Sequence, residues 1–259
     1  MTDHVTETMR KERICCIVPT YNNAGTILDV LRRIQLFTRQ IIVVNDGCTD
    51  QTPELLRNAG LDGLTVVDFK KNRGKGDALK AGFAKAIQMG YEYAITLDAD
   101  GQHFPEDLPL FIQAFERTPG ALIVGARDLN PDHMRRGSNF ANKFSNFWYY
   151  FQTGIRLEDT QSGYRLYPLS MLDAGWIVTS RYESELEFLV YAAWHGVKVM
   201  SIPIRVYYPP RAERVSSFRP FWDFMRITLL NIVLTTGAVC YYLPARIIRK
   251  LRKKKGVDV

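Results

Sequence analysis

Cysteine is scarce in this chain, with four in 259 residues: Cys15, Cys16, Cys48 and Cys240. They form no CxxC pair and no zinc-ligand spacing, which removes zinc-finger and dithiol-redox readings. They read as free thiols of a reducing compartment. Cys15 and Cys16 fall in an apolar run, where a strand turns neighbours to opposite faces. An apolar leader is also missing. MTDHVTETMRKE, residues 1–12, is polar, has no signal-peptide core and is expected to be flexible. The chain lacks GxxxxGK[ST] and GxGxxG, so ATPase and dinucleotide readings lose their support. Internal repeats and low-complexity segments are absent.

Acidic residues are scarce at one end only. Residues 1–200 carry 22 Lys/Arg against 24 Asp/Glu, while residues 201–259 carry 12 against 3. The formal charge of +7 is therefore a near-neutral body with a basic tail. A uniformly basic surface would suit nucleic acid. This distribution suits an anionic membrane surface instead, and no nucleic-acid partner is expected.

What is present is alternation. Apolar strand-like runs at 13–22, 40–46, 64–69, 93–100 and 121–127 alternate with helical spacing at 26–35, 52–58, 76–90 and 105–116. That order predicts an α/β domain, with a largely parallel central sheet and helices on both faces. Ligands of such sheets bind beyond the carboxyl ends of the strands. Those ends carry Thr20–Asn22, Asn45–Asp46, Asn72–Lys75, Asp98–Gln102 and Arg127. Beyond residue 127 the pattern loosens. Helices are expected over 134–153 and 181–193, and a strand over 197–208.

Three stretches carry chemistry. In TLDADGQH (96–103), Asp98 and Asp100 stand at a strand end and share a side at period two. Two carboxylates with the amide oxygen of Gln102 suit Mg²⁺ or Mn²⁺ bound together with phosphate oxygens. His103 is a weaker addition, since a loop histidine is more often solvated. The bland alternative is a turn whose aspartate caps the helix at Pro105. In VVNDGCTD (43–50), Asp46 can accept from a nucleobase N–H, Gly47 permits close approach, and Asp50 suits a helix cap. In KKNRGKGDALKAG (70–82), Lys75 lies between two glycines before a helix and can reach a nucleotide.

Together, IVPTYNN, VVNDGCTD, NRGKGDALKAG, LDADGQH and EDTQSGYRLY resemble family 2 glycosyltransferases of the GT-A fold. The likeness runs over residues 13–217 and is nearest to the polyprenyl-phosphate sugar transferases. It implies a nucleotide-diphosphate sugar donor, a lipid phosphate acceptor and Mg²⁺ or Mn²⁺. It implies that Pro19, Tyr21 and Asp46 line the base site, and that Asp98, Asp100 and Gln102 hold the metal on the diphosphate. Arg127 resembles a phosphate-binding arginine. Asp159, Ser162, Gly163 and Arg165 would lie at the sugar and acceptor site, with Glu187 nearby, and Asp159 would be the base if one is needed. Arg214 and Ser216 resemble a region that closes over the nucleotide. Asn23, Asn45 and Cys48 stand where the family usually has Glu, Asp and Ser, which leaves base and sugar preference open.

The basic end, 218–259, is expected to form amphipathic and hydrophobic helices with a polybasic tail. Arg219, Asp223 and Arg226 share a helical face, with aromatic residues between them. Ile227–Leu243 is uncharged for 17 residues, the lower limit for a span. Helices lying in the interface are the leading expectation, with a packed helical hairpin and a true span as alternatives. The chain has no QxxRW and no series of spans, unlike processive synthases, and no GxGxR-type opening, unlike nucleotidyltransferases. The expectation is an inverting, metal-dependent hexosyltransferase on the cytoplasmic face of a membrane. Transfer to another lipid or a glycan hydroxyl, or a silent nucleotide-sugar sensor or adaptor, stays open, as does a homo-oligomer.

Overall fold

The computed structural model describes residues 2–127, 136–172, 177–208 and 220–247. Seven strands form one sheet: β1 (Ile14–Thr20), β2 (Ile41–Asn45), β3 (Leu64–Asp68), β4 (Tyr93–Thr96), β5 (Leu122–Arg127), β6 (Arg165–Pro168) and β7 (Val199–Ile204). Their order is β3-β2-β1-β4-β6-β5-β7. All neighbours are parallel except β6, which runs antiparallel to both β4 and β5. The α/β expectation holds. The first five strands come from apolar runs long enough to read. RLYP is four residues after a polar loop, too short to show a period, and β6 was not foreseen.

Among the described residues the α-helices are α1 (Thr2–Lys11), α2 (Ile27–Gln35), α3 (Thr52–Arg57), α4 (Lys75–Gln88), α5 (Leu108–Arg117), α6 (Arg136–Thr153), α7 (Ser184–Trp194) and α8 (Pro220–Gly237). Strand alternation divides the core. Ile14, Cys16 and Val18 pack with Val30, Leu31 and Phe111 on one face. Cys15 and Ile17 pack with Leu79, Phe83 and Phe188 on the other. The two cysteines do point apart, and burial pushes both thiols above their usual range.

Two expectations change. Residues 1–12 are not a loose end, because α1 buries Val5 and Met9 in the core that also holds Phe115 of α5. A single i, i+4 stripe on a polar helix is too narrow to recognise in sequence, yet its two apolar side chains are fully covered. At the other end, the helical hairpin kept as an alternative gives way to a single helix. Among the described residues, α8 continues through a π-helical turn at Ala238–Tyr242 and on to residue 247 as one helix. Met225–Ile247 is long and apolar enough, by length and composition, to cross a membrane. Yet α8 lies along the domain. Leu230, Asn231, Leu234 and Ala238 are buried. Gln152 of α6 donates to Asn231 Oδ1 and Thr235 Oγ1, both at 3.1 Å, and Arg246 donates to the Thr153 carbonyl at 2.8 Å.

Candidate active site

The parallel strands β1, β2, β4 and β5 end on one rim, and the loop before antiparallel β6 returns to it. β4 stops at Thr96, earlier than the sequence suggested. Asp98 and Asp100 therefore lie in the following turn, not on the strand. Asp100 Oδ1 accepts the Gln102 N–H at 2.9 Å, the bond of an Asp turn that Gly101, at φ 75°, allows to close. Asp98 Oδ1 pairs with Lys75 Nζ at 2.6 Å. Lys75 in turn lies 3.3 Å from Glu185 Oε2, at the start of α7. Three charges from residues 75, 98 and 185 thus form one cluster, with Glu185 buried and Lys75 and Asp98 partly exposed.

Burial opposes ionisation of Asp98, but Lys75 outweighs it and holds that carboxyl below its usual value. Asp100 is pushed up to about 6 by burial and then by the charge of Asp98. The Asp98–Asp100 pair therefore has negative charge to spare, which suits a hard divalent cation. Among the described residues, no three His, Cys, Asp or Glu side chains converge as a closed cage. A two-carboxylate site completed by substrate phosphates needs none.

His103 is buried, not solvated. It lies 5.3 Å from the Tyr164 ring, with Nδ1 3.9 Å from Asp98 Oδ2, and burial lowers its pKa to about 4, so the ring is neutral. Two arginines brace this turn from outside. Arg33 and Arg205 sit over the Phe104 ring at 5.5 and 5.3 Å, held by Glu106 and Asp107 respectively.

Gly163 faces the charge cluster. A Cβ there would fall 2.6 Å from Lys75 Nζ, 2.9 Å from Asp98 Oδ2 and 3.1 Å from Glu185 Oε1. Its carbonyl accepts the Thr96 hydroxyl at 2.7 Å, which fixes the loop against β4. We expect Gly163→Ala to force Lys75 and Asp98 apart and to cut nucleoside diphosphate affinity by about tenfold or more, a shift of about 1.4 kcal/mol. Titration calorimetry checks it.

Several residues implied by the resemblance are occupied inside the protein. Arg127, at the end of β5, donates to Asp159 from Nε at 2.5 Å and Nη2 at 3.0 Å. Asp159 is fully buried and also accepts from Asn142 at 2.6 Å and the Gln161 N–H at 3.0 Å. Burial alone would raise its pKa, but Arg127 and these donors keep it low. Arg165 is fully buried and donates to the carbonyls of Ser162, Glu185 and Thr160 at 2.6 to 2.9 Å. Glu187 accepts the N–H groups of Val178 and Thr179 and the Thr179 hydroxyl. These contacts join the 159–163 loop, β5 and α7 around the cluster. Ser162 is buried beside them, its Oγ accepting the Tyr164 N–H at 3.4 Å.

The other end of the rim holds Pro19, Tyr21 and Asp46. Pro19 is buried in β1, and Tyr21 is half-buried just beyond it. Both Asp46 oxygens are taken by Asn72, Arg73 and Gly74 at 2.7 to 2.9 Å, so this carboxylate shapes the 72–74 loop. Gly47, at φ 68°, gives the close approach foreseen, but to the backbone of Lys71. Asn45 donates to Asp68 at 2.7 Å and accepts the Cys48 N–H at 2.9 Å. An aspartate there would face the Asp68 carboxylate, which gives the asparagine a local reason. Asn23 accepts the Tyr21 N–H at 3.2 Å, and Cys48 Sγ accepts the Asn22 N–H at 3.1 Å. Asp50 caps the next turn through the Thr52 N–H at 3.0 Å. Arg214 and Ser216 lie outside the described residues.

The mostly parallel sheet, with β6 antiparallel inside it and the polar residues at its carboxyl rim, gives the chain, like the solved structures it resembles, the GT-A class of fold. The pattern described as glycosyl transferase family 2 matches residues 15–176, and the chain belongs to that family as a glycosyltransferase. It is 28% identical to the UDP-N-acetylglucosamine–dolichyl-phosphate N-acetylglucosaminyltransferase of Methanococcus voltae, over 86% of this chain and 98% of that one. It is 29% identical to the polyprenol monophosphomannose synthase of Mycolicibacterium smegmatis, over 74% of this chain and 77% of that one. In structure it is similar to glucosyl-3-phosphoglycerate synthase from Mycobacterium tuberculosis, solved with Mn²⁺, UDP and glucosyl-3-phosphoglycerate. The TM-score is 0.64 at 15% identity, covering 92% of this chain and 84% of that one.

Glu185 was not singled out by its sequence. Its partner Lys75 is distant along the chain, and YESELEF holds three glutamates of which only the fold selects one. Asn142 was missed for the same reason.

Proposed function

We propose that this glycosyltransferase moves a hexose from a nucleotide-diphosphate sugar to a polyprenyl phosphate, with inversion, at a membrane surface. The observation that carries the reading is the cluster of Asp98, Asp100 and Lys75 at one rim, with Arg127 close enough to Asp98 to act on its charge. Asp98, Asp100 and Gln102 would hold Mg²⁺ or Mn²⁺. Bound there, the ion would neutralise charge on the departing diphosphate. Lys75 and Arg127 supply fixed positive charge beside the same position.

What Asp159 and Glu187 are doing supports a lipid phosphate as the acceptor. Attack by a sugar hydroxyl needs a general base. Asp159 is sealed in its pair with Arg127, and Glu187 is committed to the 178–179 backbone. A phosphomonoester, with its second pKa near about 6, is already anionic at neutral pH and needs no base. In this reading Asp159 and Arg165 position the site, Asp159 by orienting Arg127. The relatives named for dolichyl and polyprenol acceptors agree with that choice.

Membrane contact comes from α8 and α6. Leu229, Ile232 and Val233 are exposed on α8, Val239 and Tyr241 on the π-helical turn that continues it, and Phe147, Tyr150 and Phe151 on α6. Because α8 packs lengthwise on the domain, a span would drag α6 and α7 into the bilayer. The apolar face lies in the interface instead. We expect the protein to float with vesicles containing anionic lipid, and the Ile232→Asp, Val233→Asp variant to stay in the soluble fraction.

The function is tested by incubating the protein with Mg²⁺ or Mn²⁺, UDP- and GDP-sugars, and polyprenyl phosphate in detergent. A lipid-phosphate hexose seen by mass spectrometry, and abolished by EDTA, is the expected product. Release of nucleoside diphosphate only with a glycan acceptor would replace this reading.

A further inference from the structure

Thr26 stands just before α2, where a threonine hydroxyl ordinarily accepts a hydrogen bond from the first turn of the helix. This hydroxyl does not, and α2 has no side-chain cap bond from it. It turns away from the helix and donates to the Ala99 carbonyl at 2.6 Å, while its other acceptor, the Asn23 carbonyl, lies at 3.4 Å. A helix that forgoes its cap loses stabilisation. Local departures of this kind gather at functional sites.

Ala99 is the buried residue between Asp98 and Asp100. Its carbonyl belongs to the peptide plane that also contains the α-carbons of Ala99 and Asp100. A donor that fixes this oxygen fixes the plane, and with it the direction in which Asp100 leaves the backbone. The Thr26 methyl faces the same turn, since a Cβ added to Gly101 would lie 3.6 Å from it. The far side of the turn is held separately. There the Tyr207 N–H donates to the Gln102 carbonyl at 2.9 Å, beside a bridge between His103 and Val206. Asp107 anchors that segment through the N–H, Nε and Nη2 of Arg205 at 2.6 to 2.8 Å. The chain beyond β7 thus secures Gln102, and Thr26 secures the peptide between the two aspartates.

We infer that Thr26 is a positioning residue for the divalent ion, its hydroxyl setting the placement of Asp100 relative to Asp98 through the Ala99 carbonyl. It touches neither the ion nor the substrate. The inference rests on the reading that Asp98, Asp100 and Gln102 hold Mg²⁺ or Mn²⁺, and not on the identity of the sugar or the acceptor. Groups that orient a metal's ligands without touching the metal change its affinity by about 10–100-fold.

The test follows binding of UDP and of GDP to the full chain by calorimetry across a Mn²⁺ series. Thr26→Val keeps the methyl and loses the hydroxyl, Thr26→Ala loses both, and Thr26→Ser keeps the hydroxyl alone. The valine and alanine variants are expected to need about tenfold more Mn²⁺ for half-maximal nucleotide affinity. Both should reach the wild-type affinity once Mn²⁺ saturates, and the serine variant should keep the wild-type midpoint. A loosened fold behaves differently, lowering affinity at every Mn²⁺ concentration. An unchanged Mn²⁺ midpoint in the valine and alanine variants overturns the inference. So does a lowered plateau at an unchanged midpoint, which marks a structural role, or a serine variant shifted as far as valine. If Thr26→Val fails to fold, Thr26→Ala decides. If nucleotide affinity of the wild type does not respond to Mn²⁺, the metal reading itself fails, and the inference with it.

Discussion

Asp100→Ala is expected to lower kcat by about a hundredfold to a thousandfold, the range seen when one preorganised charge-stabilising group is removed. The fold should survive. Among the described residues, the carboxylate is held from within its own turn, accepting the Gln102 N–H at 2.9 Å. It lies close enough to Asp98 for that charge, with burial, to raise its pKa to about 6. Removing it relieves crowding and leaves only the Gln102 N–H of its own turn without an acceptor. Thermal melting should therefore change little while lipid-phosphate sugar formation collapses. Asp98 is a poorer probe, since its loss would also leave Lys75 with only Glu185. Equal loss of activity and melting temperature in Asp100→Ala would count against a chemical role for this residue.

Asp159→Ala is expected to act in the opposite order, with stability first. It leaves Arg127 without its bidentate partner, and removing one member of a buried pair costs about 3–5 kcal/mol. Asn142 and the Gln161 N–H lose their acceptor as well. The stabilisation depends on pH with a definite sign. The folded carboxyl sits below its unfolded value, so the contribution is complete above the ordinary carboxylate range and fades as pH falls through the depressed folded value. Urea melts at neutral and acidic pH should show the wild type and Asp159→Ala converging in acid. Converting both partners to apolar residues, Arg127→Met with Asp159→Leu, should cost less than the two single changes together. A base role would instead leave stability untouched, lower the rate and remove its acidic limb, where the base is protonated.

These contrasts show what the amino-acid order conveys. Strands β1 to β5 were visible because each is an apolar run bounded by polar loops, and the rim residues follow from where those runs end. The Asp98–Asp100 turn was found, although its geometry was not, because LDADGQH continues the apolar character of β4 past the last paired residue. The partners were not legible. Arg127 with Asp159, and Lys75 with Glu185, are joined only after β6 inserts between β4 and β5 and brings the 159–163 loop to the rim. Asp46 reads the same in sequence whether it meets a base or its own 72–74 loop. At α1, two buried side chains on a polar helix outweigh a composition that suggested a loose end.

The central claim is that the nucleophile is a phosphate and not a hydroxyl. The most direct measurement offers the protein a polyprenyl phosphate and the matching polyprenol, of equal chain length, in the same detergent with the same nucleotide-sugar and Mg²⁺. Products are quantified by mass spectrometry, and the anomeric configuration is read by NMR. The account predicts product from the phosphate alone, with the anomeric centre inverted relative to the donor. Transfer to the polyprenol at a comparable rate, or a retained anomeric configuration, would contradict it.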